Sequence, residues 1–209
     1  MQNKAVRRNA AIILLKSTQY FIWIYLISQM LDPAKGRLLI SEPFLPDPNF
    51  FRSVVLLTEH NQDGSVGLVL NQETEMRVNE LFDDVLCRNI VYSGGPVGKN
   101  SLLFLHSNES LLHAEPVLPG LYWGGDFEML KFQLNEGLMN ANDVVFFAGY
   151  SGWGPGQLQG ELEQKSWIVA PARADYIFAQ SKDLWKKVLT DMGTGYRHLG
   201  NAPEDVQMN

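Results

Sequence analysis

Cysteine is almost absent from the 209-residue sequence, since Cys87 is its only example. One cysteine cannot form an intrachain disulfide, which excludes the usual staple of small secreted domains and favours a reducing compartment. Residues 78–86, just before it, have the spacing of a helix, and a lone thiol there is typical of a packed core. The neighbouring Asp83 and Asp84 are expected to raise its pKa, which disfavours thiolate chemistry.

Acidic residues are missing from residues 1–29, which carry four cations, Lys4, Arg7, Arg8 and Lys16. Without those four, the remaining residues 30–209 hold 13 basic and 23 acidic residues, a net charge of −10. Affinity for nucleic acids depends on cations that displace counterions from phosphates. Direct nucleic-acid binding by residues 30–209 is therefore disfavoured.

An unbroken apolar run of the length that spans a bilayer, about 20 residues, is also missing. Residues 10–15 and 20–27 are apolar, but residues 16–19 separate them. A signal peptide fits the basic start, yet residues 28–30 make a poor cleavage site, and an interfacial helix lacks a distinct polar face. We favour a fourth interpretation, a native start at Met30. Residues 1–29 are then an extension outside the domain, residues 30–209 form one domain, and membrane attachment is disfavoured.

Short apolar runs separated by turn residues make up the rest of the chain. Their patterns predict strands and helices. The strands are expected over residues 37–41, 53–60, 65–71, 91–93, 102–106, 120–123, 144–148 and 166–170, and the helices over 78–86, 126–136, 157–164 and 181–192. Asp63-Gly64 predicts a hairpin, and Asp126 a helix N-cap. Hairpins come first and helices alternate later, which predicts a single α+β domain with a mixed sheet.

The most distinctive segment is the glycine-rich stretch 149–156. A strand, a glycine loop and a helix in that order can direct backbone N–H groups and the helix dipole at an anion. We therefore predict a ligand site here, together with Asn71, and its loop residues are Gly152, Trp153, Gly154, Gly156 and Gln157. The phosphate-loop and dinucleotide fingerprints are absent. The alternative is a tight turn whose glycines adopt positive φ.

Three residues are candidates for catalysis. His60 and His106 both end apolar strands, where sites collect at a sheet edge, and Ser151 is a weak candidate nucleophile because its surroundings are not Gly-x-Ser-x-Gly. Histidines at strand ends more often bond to loops. The histidine spacings do not match a zinc motif, so the sequence predicts neither a metal nor a cofactor.

Several blocks in a fixed order resemble the bacterial AlgH/YqgE family. They are GRLLISEP from Gly36, DPNFFRSVVLL from Asp47, GSVGLVLN from Gly64, GGPV from Gly94, Leu105-His106 and GYSGWGPGQL from Gly149. The resemblance covers residues 36–195 and implies a mixed α+β fold with a small, partly barrel-like sheet surrounded by helices. The family carries a historical label as transcriptional regulators, and the resemblance supplies no catalytic residues.

These observations lead to two functional hypotheses. The leading one is a non-catalytic, cytoplasmic regulatory or binding protein that recognises a protein partner or a small anionic ligand, without direct DNA contact. The alternative is a hydrolase or transferase that uses His60, His106 and Ser151. The two histidines can cooperate only if their rings share one cleft.

Overall fold

The computed structural model describes residues 32–179 and 181–203, so the extension predicted over residues 1–29 lies outside the described part. Within it, residues from Pro33 onward form one compact unit. The strands are β1 (Arg37–Ser41), β2 (Val54–Asn61), β3 (Gly64–Val69), β4 (Glu73–Arg77), β5 (Ile90–Ser93), β6 (Val97–His106), β7 (Glu115–Leu118), β8 (Leu121–Trp123), β9 (Val144–Trp153) and β10 (Trp167–Pro171). The α-helices are α1 (Val78–Leu81), α2 (Phe127–Asn135), α3 (Gln157–Glu163), α4 (Ala174–Phe178), α5 (Leu184–Asp191) and α6 (Thr194–Arg197).

One sheet organises the domain, in the strand order β10-β1-β2-β3-β9-β6-β8-β7. The pairs are antiparallel except β5, which runs parallel to β9 and also pairs with β4. The path ends at β10 and β7, so the sheet is not closed into a barrel. The sheet is nevertheless curved, since the chain just before β1 comes close to the end strand β7. There, Lys35 Nζ lies 3.7 Å from a carboxylate oxygen of Glu115. The predicted single-domain α+β fold is confirmed.

The central strand β9 shows how the core is divided between the two faces of the sheet. Val145 and Phe147 belong to the largest apolar cluster, with α4 and α5, whereas Val144 and Phe146 pack in a second cluster with α2. Successive side chains of a strand point to opposite faces, so β9 is buried on both. A third cluster lies between the β1–β2–β3 face and α3, around Trp153 and Trp167.

Three local predictions are wrong. The strand expected over residues 102–106 begins at Val97, because Val97 already pairs with Tyr150 of β9. The helix expected over residues 78–86 ends at Leu81, because the following chain turns toward α2 and bonds to Asn135, whose side chain contacts both Asp84 O (2.7 Å) and Leu86 N (2.9 Å). The strand expected over residues 144–148 continues to Trp153, because its second half pairs with β3. The predicted hairpin at Asp63-Gly64 and the N-cap at Asp126, which accepts from Met129 N at 2.9 Å, are confirmed.

Candidate functional site

The glycine-rich segment is mostly strand and not loop. Residues 149–153 belong to β9, and Gly152 pairs with Val66 of β3. The predicted ligand residues Gly152 and Trp153 therefore lie within a sheet. Gly154, Pro155 and Gly156 form a short turn into α3, and Gly156 has φ 74° at the N-cap, a conformation that favours glycine.

The turn is closed by its own side chains. Gln157 Oε1 accepts the Gly154 N–H at 3.1 Å, and Gln157 Nε2 donates to Glu161 Oε1 at 2.9 Å. The other oxygen of that carboxylate, Oε2, accepts the indole N–H groups of Trp153 (2.8 Å) and Trp167 (2.7 Å). A carboxylate next to the turn repels anions. The anion site at these residues stays a prediction, and this geometry counts against it.

His106 ends β6 and is fully buried. Its Nε2 is 2.9 Å from Gly124 O, and its Nδ1 accepts the Asn108 N–H at 3.2 Å. This arrangement requires a neutral ring with the proton on Nε2, because only that nitrogen faces a carbonyl oxygen. Burial lowers the pKa of His106, which agrees with a neutral structural role.

His60 is exposed near the end of β2, with Nδ1 2.7 Å from Ser65 Oγ. The strand register separates it from His106. Ser65 lies opposite Trp153 at one end of β9, whereas His106 lies opposite Val144 at the other. Nine residues of extended strand span roughly 30 Å. The two histidines therefore do not share one cleft, which is the condition that the alternative hypothesis sets.

Ser151 and Asn71 are also engaged in the fold. The Ser151 side chain is fully buried, and Oγ donates to Gly94 O at 3.1 Å, so the hydroxyl has no path to a substrate from solvent. Asn71 follows β3, where Oδ1 accepts from Val54 N and Nδ2 donates to Arg52 O, both at 2.9 Å. These bonds fasten the chain that enters β2.

In the described part of the chain, we find no group of three or more His, Cys, Asp or Glu side chains with the geometry of a metal site. The same residues include no helix of sufficient length and apolarity to cross a membrane.

The sequence did not reveal an exposed apolar surface formed by α1, α2 and the turns that follow them. We call it the α1–α2 surface. It comprises Leu81, Leu86, Phe132 and Leu138, whose exposed fractions are 45%, 70%, 58% and 71%. Residues 78–86 were predicted as one helix, and in a continuous helix Leu81 and Leu86 would share the apolar face with Val78 and Val85. α1 ends at Leu81, so Leu86 lies in the chain beyond the helix and is not held against the core.

A second feature that the sequence did not reveal is a cavity of about 470 Å³ between the chain before β2 and the segment that follows α6. Arg52 and Trp185 line it. These residues are 133 positions apart, so local patterns carry no signal for their meeting.

Similarity to known proteins is extensive. A family model described as AlgH-like matches residues 38–197. A UPF0301 protein of Cytophaga hutchinsonii is 42% identical over 179 residues, covering 84% of this chain and 98% of that protein. One from Bacteroides thetaiotaomicron is 38% identical, covering 85% and 92%.

Two solved structures share the fold. The protein DIP2367 of Corynebacterium diphtheriae is 26% identical with a TM-score of 0.69, covering 81% of this chain and 92% of that one. The AlgH protein of Pseudomonas aeruginosa is 27% identical with a TM-score of 0.64, covering 81% and 94%. The family resemblance read from the sequence blocks is thereby confirmed, and the chain belongs to the AlgH-like family.

Proposed function

We propose that this protein is a non-catalytic regulatory protein of the bacterial cytoplasm that acts by binding a partner protein at the α1–α2 surface. The partner presents an apolar segment flanked by basic residues. The observation that carries the proposal is the combination of four well exposed apolar side chains with an acidic border. Regulation then proceeds through protein contact, which agrees with the net negative charge of residues 30–209, since that charge disfavours direct binding to DNA.

Three of the apolar residues of the α1–α2 surface, Leu86, Phe132 and Leu138, lie on α2 or are bonded to it. Asn135 of α2 accepts the backbone N–H of Leu86, and Phe132 precedes Asn135 by three residues, on an adjoining part of the same helix face. Leu138 follows α2 directly, and its backbone N–H bonds to Gln133 O at 2.8 Å. Exposed apolar groups bordered by polar ones are characteristic of interaction sites.

The border of this surface is acidic. Its exposed carboxylates are Glu80, Asp83, Asp84, Glu128 and Glu136. The nearby Lys131 ammonium is 2.6 Å from both Asp84 and Glu128, so its charge is already matched. Arg77 and Arg88 are also neighbouring cations, and Arg77 Nη1 donates to Arg88 O at 2.8 Å, so five carboxylates stand against three cations. An acidic border attracts a basic partner and repels a second copy of the same surface, because like charges across an interface weaken association.

The candidate catalytic groups support a binding role. His106 and Ser151 are buried in structural hydrogen bonds, and His60 lies at the opposite end of β9 from His106. A hydrolase or transferase needs a nucleophile and a base that share a substrate-accessible cleft. His60, His106 and Ser151, the residues of the alternative hypothesis, do not form such a cleft.

The test compares the wild-type chain with Phe132→Ser/Leu138→Ser, using Phe44→Ser as the control, since Phe44 is 44% exposed outside the α1–α2 surface. Proteins captured from a lysate of the source bacterium by the wild type and by the control, but not by the double variant, are purified. Their Kd values are then measured. We expect the double variant to weaken Kd at least tenfold, because two exposed anchors cost about 1 kcal/mol or more each.

Added salt is expected to weaken the wild-type complex, since the flanking charges are screened. Equal binding of the purified partner to the wild type and the double variant would contradict the proposal. So would a wild-type homodimer, seen by sedimentation, that the double variant dissociates, because the surface would then serve a second copy.

A further inference from the structure

Leu86 is a largely exposed member of the α1–α2 surface, and it lies in a segment without regular secondary structure. Residues 82–89, all of them described, connect α1 to β5 outside any helix or strand. The first half of this segment closes a turn, in which Val85 N donates to Phe82 O at 3.1 Å. Leu86 follows that turn, so its position depends on bonds that other parts of the chain supply.

The side chain of Asn135 on α2 supplies two of these bonds. Its Oδ1 accepts the Leu86 N–H at 2.9 Å, and its Nδ2 donates to Asp84 O at 2.7 Å. One amide group thus holds the backbone on both sides of Val85. Val85 itself is buried in the same apolar cluster as Leu130 of α2. Because the backbone is bonded at Asp84 and Leu86 and buried between them, it has few alternative conformations.

Lys131 of α2 fastens the same turn at a second point. Its Nζ lies 2.6 Å from an Asp84 carboxylate oxygen and 2.6 Å from one of Glu128. The hydrogen bond from Lys131 lowers the pKa of Asp84, so this carboxylate remains charged at neutral pH. Lys131 and Asn135 are four residues apart, and both therefore lie on the same face of α2.

The helix α2 thus carries one apolar group of the surface, Phe132, and fixes a second, Leu86, through Asn135. Groups that keep their bound arrangement before the partner arrives lose less conformational freedom on association, so more of the contact energy appears as affinity. When the arrangement is populated for only a fraction of the time, Kd rises by the inverse of that fraction. The bonds from Asn135 are therefore expected to affect affinity without any contact between Asn135 and the partner.

We propose that Asn135 is a positioning residue of the α1–α2 surface, which holds Leu86 in the orientation that the partner protein recognises. Leu86 is the anchor that contacts the partner, and Asn135 acts through it. This role rests on the proposed function, since it requires a partner at the α1–α2 surface, and it adds the residues that determine the fit.

The test measures Kd of the partner protein captured on the wild type and then purified, for four full-length chains. These are the wild type, Asn135→Ala, Leu86→Ala and the double variant. Each hydrogen bond shifts a local equilibrium by about two- to tenfold, so the loss of both in Asn135→Ala should raise Kd about tenfold. Leu86→Ala should also raise Kd about tenfold, as the loss of an anchor. In the Leu86→Ala background, Asn135→Ala should change Kd by less than about twofold, because the two residues act as one unit.

Hydrogen exchange of the Leu86 amide gives a second readout that does not involve the partner. Asn135→Ala should accelerate this exchange at least about tenfold, because the N–H loses its acceptor. Asn61→Ala is the matched control, since it removes an asparagine side chain that accepts the Asp63 N–H in the β2–β3 turn, outside the α1–α2 surface. It should change neither the exchange of Leu86 nor Kd. Urea midpoints confirm that all variants are folded.

The proposal is overturned if Asn135→Ala leaves either the exchange of Leu86 or Kd at the wild-type value. A tenfold effect of Asn135→Ala that persists in the Leu86→Ala background also overturns it, because Asn135 would then act independently of Leu86. Failure of the proposed function has a different signature. The partner would then bind Phe132→Ser/Leu138→Ser as tightly as the wild type, although the exchange of Leu86 still responded to Asn135→Ala, and the positioning role would be refuted with the surface.

Discussion

Trp153 donates its indole N–H to Glu161 Oε2 at 2.8 Å, and this bond joins the end of β9 to α3. Trp167 of β10 donates to the same oxygen at 2.7 Å. One carboxylate oxygen thus accepts hydrogen bonds from two buried indole N–H groups, one on β9 and one on β10, and both tryptophans belong to the third apolar cluster. The glycine turn between Trp153 and α3 serves this junction, because it lets the chain reverse so that α3 covers the cluster.

Glu161→Ala should destabilise the domain by about 2–4 kcal/mol, because two buried indole N–H groups lose their acceptor. The measurement is urea unfolding followed by tryptophan fluorescence. Glu163→Ala, on the exposed side of the same helix, is the control and should change stability by less than about 0.5 kcal/mol. Equal midpoints for the two variants would show that the indole contacts contribute little.

The stability of the wild type should fall as the pH drops below the usual histidine pKa of 6.5. Burial lowers the pKa of His106 in the folded chain, so between the two pKa values the unfolded chain binds more protons than the folded one. His106→Asn should reduce this pH dependence, measured as urea midpoints between pH 5.5 and 7.5. His113→Asn is the control, because it also removes one imidazole. Asparagine is chosen since it tolerates the φ of 61° at this position. A wild-type slope retained in His106→Asn would contradict the assignment.

The Nε2–H tautomer of His106 is a separate prediction. Two-dimensional ¹H–¹⁵N spectra of the histidine rings at pH 7.5 should show one ring protonated at Nε2, with a signal that is lost in His106→Asn. A proton on Nδ1 of that ring would contradict the observed bonds to Gly124 O and Asn108 N.

Cys87 should react slowly in the native chain. Its pKa is raised by burial, so the thiolate fraction at pH 8 is smaller than in the unfolded chain. Iodoacetamide at pH 8 should alkylate the native thiol at least about tenfold more slowly than the thiol in urea, as measured by intact mass. Equal rates would show that the thiol is accessible and unperturbed. The sequence predicted the direction of this shift but assigned it to Asp83 and Asp84, whereas burial is its largest cause.

Gly160→Ala should stabilise the domain by about 0.5–1 kcal/mol, because Gly160 lies within α3, where an added Cβ meets nothing within 4 Å. Gly94→Ala should instead destabilise it, since its Cβ would lie 2.2 Å from Gly149 O. Thermal unfolding of both variants distinguishes these outcomes. A lower melting temperature for Gly160→Ala would contradict the helical packing described for α3.

The sequence by itself determined the fold class, most of the strands and the family. Local rules were sufficient for these features. Asp126 caps α2 through a bond spanning three residues, and the β2–β3 hairpin needs only a short turn. In that hairpin, however, glycine at position 64 is also required by a distant part of the chain, because a Cβ there would lie 2.2 Å from Trp153 O.

Only the tertiary structure decided what the candidate residues do. The register of β9 against β3 and β6 separates His60 from His106, turns part of the glycine loop into strand and buries Ser151. Arg52 meets Ala202 across 150 residues of sequence. Such contacts depend on how the sheet and the helices pack into one core. Secondary-structure propensities describe only residues that are close in sequence, so they cannot predict these contacts.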